Sequence, residues 1–139
     1  MPADYRIDPE NRRVWSSGTG VLTHEDITGH MSRLARDPQF DPSFSQLMDF
    51  RHITKVEVTT EQLIELTEVR IFSPESKRAM VTLSGMHFGL ARMYESYRTA
   101  KGDRAIRVFL DFKEALEWLD SAATPSAPEA VTAGRKPSS

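Results

Sequence analysis

The sequence contains no cysteine. That excludes a disulfide framework, thiol catalysis and Cys-ligated zinc or iron–sulfur centres. Thiol-free composition fits a reducing compartment. Long apolar runs are missing too: none approaches the about 18 residues that a membrane-spanning helix needs. The opening stretch MPADYRIDPENRR has no apolar segment of the secretion-signal kind. The expectation is a cytoplasmic protein with no membrane span. Excess positive charge is also lacking, since 18 Lys and Arg face 20 Asp and Glu for a net charge of −2. This counts against nucleic acid as a partner. Of the four histidines, no two stand at i and i+4, and there is no HExxH. Asp26 and His30 share a helical face, but two ligands are too few for a metal. No metal or other cofactor is expected.

What is present is one domain's worth of chain. At 139 residues it can bury a core without staples. The final stretch, 121–139, is different in kind: 14 of its 19 residues are Ala, Ser, Thr or Pro. Such composition buries too little to offset ordering entropy, so it reads as a disordered tail behind a folded domain at 4–120. Charge is uneven along the chain. Residues 1–69 carry 7 positive and 12 negative side chains, residues 70–107 carry 8 and 3, and residues 108–139 carry 3 and 5. The basic middle would favour an anionic ligand or partner if folding gathered it on one face.

Periodicity sets the elements. Tyr5 and Ile7 alternate with polar residues, the turn DPEN follows, and Val14 and Trp15 lie in a second extended run. These two runs predict an antiparallel hairpin, with Gly18 and Gly20 breaking the second strand. Thr23 and Asp26 form a capping box, and Ile27, Met31 and Leu34 carry one helical stripe. SQLMDF (45–50) reads as a buried strand, followed by an extended segment. Thr59 and Gln62 form a second capping box; Leu63, Leu66 and Ile71 mark that helix, and Pro74 ends it. Lys77–Gly85 reads as a strand and 87–100 as a helix whose face is Met86, Leu90, Met93, Tyr94 and Tyr97. Ala105–Leu110 is a strand. Asp111 caps the last helix, with Glu114 at the box position and Phe112, Ala115, Leu116 and Leu119 inside. The order β-β-α-β-α-β-α-β-α implies an α/β fold. Right-handed crossovers make its later strands parallel, giving a mixed, mostly parallel sheet with an N-terminal antiparallel hairpin and four packed helices.

That order, together with GVLTHEDI (20–27), LMDFRHIT (47–54), KRAMVTLSGMHFGLARMYE (77–95) and VFLDFKEALEWL (108–119), resembles the STAS domain. Within it the chain is most similar to the SpoIIAA-like, STAS/SEC14-type bacterial proteins, over about residues 5–119. The resemblance implies a non-catalytic domain, since related folds bind partner proteins, nucleotides or lipids. In phospho-switching members a strand-end Asp precedes an Asp-Ser-Ser-Gly loop, and the serine accepts phosphate. Here Asp49 matches the strand-end Asp and Glu57 the second Asp, but the serine position holds Val58. The usual switch is therefore absent; the neighbouring Thr59 could accept a phosphate at a helix N-terminus, but the favoured reading is a helix cap.

The remaining candidates lie near the third helix. Ser84 and His87 follow a strand and open a helix, but Leu83 stands where a nucleophile elbow needs its framing pattern, so Ser84 reads as a cap. Free N–H groups there favour an anion, with Lys77, Arg78, Arg92 and Arg98 nearby. Met86, Phe88, Met93, Tyr94 and Tyr97 offer lining for an apolar ligand. The leading expectation is a non-enzymatic interaction domain that binds a protein partner or itself as a homodimer. Thr59, Thr60, Ser84, His87, Phe88, Arg92 and Tyr94 are its candidate contact residues. The alternative is a carrier or sensor of a small apolar or anionic molecule, which requires an enclosed pocket of about 300 Å³ or more lined by the third helix.

Overall fold

The computed structural model describes residues 3–83 and 85–121, with the backbone but not the side chain of Met86. Ser84 and all but Ser121 of the expected tail lie outside those residues. The elements are β1 (Ala3–Asp8), β2 (Arg13–Thr23), α1 (His24–Ala35), β3 (Ser45–Glu57), α2 (Thr60–Thr67), β4 (Arg78–Val81), α3 (Met86–Ala100), β5 (Ile106–Phe109) and α4 (Phe112–Asp120). This is the expected order. The five strands lie in the order β1-β2-β3-β4-β5; the first pair is antiparallel and the rest are parallel.

Local chemistry sets the boundaries. At the hairpin turn the Asp8 carboxylate accepts from the backbone N–H and the side chain of Asn11. Arg12 closes the turn at φ 54°, donating its N–H to the Pro9 carbonyl. Both predicted capping boxes form, Thr23 with Asp26 and Thr59 with Gln62. Asp111 accepts from the N–H groups of Lys113 and Glu114, so α4 is capped by the aspartate alone.

Strand order and helix placement are linked. Each step from β2 to β3, β4 and β5 moves one place the same way across the sheet. Right-handed crossovers in a constant direction put α1, α2 and α3 on one face. Among the described residues only α4, which follows β5 without crossing, covers the other. Its Ala115 and Leu119 pack on Leu47, Ala79, Val81 and Phe109, with Trp15 and Trp118 at the margin. On the three-helix face α1 packs over β1 and β2, α3 over β5, and α2 against α3.

Several expectations are corrected. Gly18 and Gly20 do not break β2. The strand runs to Thr23 with register shifts after Ser17 and after Gly20, and Gly20 takes φ +67°. Glycine absorbs the irregularity without ending the ladder. Asp49 is not a strand end, because β3 continues eight residues to Glu57 by pairing with Thr19–Thr23 of β2. The extended segment read after SQLMDF is therefore part of the same strand. Helix α2 stops at Thr67; Ile71 and Pro74 belong to the connection beyond it. Strand β4 is four residues rather than nine. The N-cap of α3 is Gly85, at φ +99° and with no side-chain cap, so Ser84 does not hold that place.

Candidate functional site

Alternation along the strands sorts the side chains by face. Leu47, Ala79 and Val81 point to α4, so Gln46, Met48 and Phe50 on β3 and Arg78 and Met80 on β4 point to the three-helix face. That face is not filled. Helix α2 has only eight residues and packs on α3. Between it and the sheet is a cavity of about 170 Å³. Leu63 and Leu66 of α2, His87, Leu90, Ala91 and Tyr94 of α3, and Ile71 and Phe72 of the connection border it. The bulged extension of β2 and β3 brings Leu22, Ile53 and Val56 to the same space.

The floor is amphipathic. Gln46 and Arg78 are register partners near the beginnings of their parallel strands, followed by the pair Met48 and Met80. Beyond them Phe50, Ile53 and Val56 continue an apolar floor. The polar row extends sideways: Gln46 Nε2 donates to Ser16 Oγ at 2.9 Å, and Ser16 Oγ lies 3.0 Å from His30 Nε2. The chain of bonds is satisfied when Ser16 donates to an unprotonated His30 nitrogen. Burial, together with the charge of Arg33, pushes the His30 pKa down to about 4. Tyr5 packs edge-on against the imidazole, with ring centroids 5.4 Å apart.

The other end of the row is an ion cluster around Asp103, whose side chain is 2% exposed. Its Oδ1 accepts from Arg70 Nη1 at 2.7 Å and Arg98 Nη2 at 3.0 Å. Its Oδ2 accepts from Arg98 Nε at 2.8 Å and from Arg78 Nη2. Burial opposes ionisation of Asp103, but the Arg98 hydrogen bonds and the Arg78 charge outweigh it and hold its pKa below the usual carboxylate value. Burial lowers the Arg78 pKa, an effect that Tyr94 and Asp103 partly offset. The Phe72 ring faces the Arg78 guanidinium at 5.1 Å. Arg78 Nε and Thr82 Oγ1 are buried without a hydrogen-bond partner, and both residues border the cavity.

Of the residues singled out from sequence, His87 and Tyr94 line the cavity. Thr59 and Thr60 are exposed, with the Thr59 hydroxyl committed to its cap. Arg92 lies outside, over the Phe88 ring and paired with Glu95 at 2.9 Å. The basic residues grouped at the start of α3 do not gather there. Lys77 instead donates to the Trp118 and Ser121 carbonyls at the end of α4. Met93 and Tyr97 are exposed, so the lining is Leu90, Ala91 and Tyr94 rather than the Met–aromatic set. His30 turns inward, away from a metal role with Asp26. No group of three potential metal ligands occurs among the described residues. Sequence reading missed Ser16, Gln46 and Asp103. For Gln46 the signal was a polar residue opening a buried strand at alternate spacing, Gln46-x-Met48-x-Phe50, as in Arg78-x-Met80-x-Thr82; no local pattern marked Ser16 or Asp103.

Ser16 and His30 have the distance of a nucleophile and base, but not the setting. Ser16 lies inside β2, which is paired on both sides, so its amides are spent in the ladder. A histidine with a pKa near 4 is also a weak base at neutral pH. On the α4 face a depression is lined by Asp4, Arg6, Trp15, Asp49 and Phe112. Its Asp49 is already neutralised by Arg51 at 2.9 Å.

The class is thus a mixed α/β domain with three helices on one face of the sheet and one on the other. No protein-family model matches the chain, and no curated protein matches it. Among solved structures it is similar to an uncharacterised protein of the DUF3478 family from Shewanella loihica PV-4, which has a SpoIIAA-like fold. The TM-score is 0.54 and the identity 16%, over 84% of this chain and 91% of that one. The chain therefore has a SpoIIAA-like fold. No helix among the described residues is long and apolar enough to cross a membrane.

Proposed function

We propose that the chain is a non-catalytic binding domain that holds a small, largely apolar molecule between the sheet and α1, α2 and α3. The carrying observation is the cavity of about 170 Å³ with Met48, Phe50, Leu63, Leu66, Met80 and Ala91 around it. Close-packed interiors leave few voids larger than water, and an apolar void of about 150 Å³ is large enough to take benzene. Its size falls short of the about 300 Å³ of an ordinary drug-sized site. The occupant is therefore of one-ring or short branched-chain size, not a long lipid.

Toluene is the probe. A ligand that binds only the folded state raises Tm with concentration, so saturating toluene is expected to raise it by a few degrees. It should also shift the methyl resonances of Met48 and Met80. Ala91→Leu, which fills the space, should remove both effects. Unmoved methionine methyls at saturation would sink the reading. A second reading, a protein partner or second copy docked on α3, is supported by Met93 and Tyr97, which are exposed one turn apart. Native mass spectrometry of the protein from its own host separates the two. Added small mass lost on denaturation supports the carrier, whereas a ligand-free dimer or hetero-complex supports docking.

A further inference from the structure

The ion cluster at the cavity's polar end is unbalanced. Asp103, Arg78 and Arg98 are all buried, with side-chain exposures of 2%, 8% and 3%. Two buried cations face one buried anion, and Arg70 adds a third guanidinium at the rim, 35% exposed. Uncompensated buried charge is strongly unfavourable. Proteins therefore rarely leave it in place without a counter-ion.

Asp103 cannot supply more. A carboxylate has about four acceptor sites, and Asp103 already accepts four N–H groups, two on each oxygen. Arg78 Nε is left buried with no acceptor. Gln46, its register partner on β3, donates its side-chain N–H to Ser16 and makes no hydrogen bond to Arg78 Nε. The unfilled donor belongs to one of the guanidiniums that share the excess charge, and that side chain borders the apolar cavity.

Resting on the reading of the cavity as a ligand site, we infer that the ligand is a small apolar carboxylic acid, bound as its anion. Its carboxylate pairs with Arg78 at the polar row, and its apolar body lies over Met48, Met80 and Phe50. The acid class follows from the sign of the excess charge. A carboxylate suits the site better than a phosphate ester, whose three free oxygens need more donors than one open N–H and the rim can give. The small volume limits the body to about one ring, as for the benzene-sized void above.

The test is a four-ligand series on the full-length protein: benzoate, benzyl alcohol, benzylamine and phenyl phosphate, titrated by calorimetry at fixed ionic strength. Charge-assisted hydrogen bonds are about twice as strong as neutral ones. Benzoate should therefore bind at least tenfold tighter than benzyl alcohol, with benzylamine weakest. Arg78→Met should abolish the preference for benzoate while leaving benzyl alcohol binding within about threefold, because the apolar floor stays. Should that variant fail to fold, the wild-type series still decides. Equal binding of benzoate and benzyl alcohol, or tighter binding of benzylamine, overturns the acid assignment and leaves the cavity standing. Phenyl phosphate binding more tightly than benzoate overturns the carboxylate. If none of the four binds, the acid assignment fails, and the toluene titration decides separately whether the cavity reading stands.

Discussion

His30 shows how a single residue can make stability depend on pH. Its pKa is pushed down to about 4 from an ordinary 6.5, so the folded state holds it neutral where an unfolded chain would protonate it. The unfolded state therefore binds more protons between those values. The contribution is complete above about pH 6.5 and is lost as pH falls toward 4. At about 1.36 kcal/mol per pKa unit, the loss is roughly 3 kcal/mol. Urea denaturation at intervals from pH 7 to 4 should show this decline, and His30→Gln should flatten it. A slope unchanged by the substitution would mean that other groups carry it. None of this was legible in the sequence. Asp26 and His30 share a helical face in sequence; Asp26 is held in the Thr23 capping box, as expected, while His30 reaches Ser16, fourteen residues away. Short-range pairs such as Thr23–Asp26 and Thr59–Gln62 are fixed by helix geometry, so they can be read directly. The partners of His30 and Asp103 are fixed only by the fold.

At the scale of elements, the β2–β3 ribbon makes the point. Its alternation was legible, but its length was not, because two glycines resemble a stop. Gly20 takes φ +67°, yet a Cβ there would meet nothing within 4 Å. The cost of Gly20→Ala is then one of backbone conformation alone, about 1–2 kcal/mol for an L residue in the left-handed region. Gly20→Asn should cost less, since asparagine tolerates that region. Chemical denaturation of both variants checks the ranking; equal losses would mean that the bulge relaxes into another shape. Helix α2 was read too long for a related reason. Leu63, Leu66 and Ile71 keep helical spacing past Thr67, but Ile71 borders the cavity from the connection instead. Periodicity marks which residues face inward, not where hydrogen bonding stops.

For the whole molecule, element order alone led to the sheet and its crossovers, because right-handed connections leave few alternatives. The site was less accessible. The basic segment 70–107 suggested a positive surface, but Arg70, Arg78 and Arg98 converge on Asp103 instead. Lys77 meanwhile caps α4. A count of charge along a chain cannot separate side chains that face solvent from those that meet inside. His87 and Tyr94 were found because they lie on the inward stripe of α3, and Arg92 was not part of the site because it lies on the outer one.

Spatial order in the sheet repeats chain order. Every strand pairs with its neighbour in sequence, so each loop closed during assembly is short, a topology that favours rapid folding. Growth can then be directional: β1, β2, α1 and β3 can associate before β4 has left the ribosome, and later units add at one edge. The seal comes last. Arg13 of β2 meets Asp120 of α4 at 2.9 Å across a separation of 107 residues, joining the first hairpin to the final helix. In pulsed hydrogen exchange during refolding, amides of β2 and β3 should gain protection no later than those of β5. Earlier protection of β5 would show that assembly starts from the other edge.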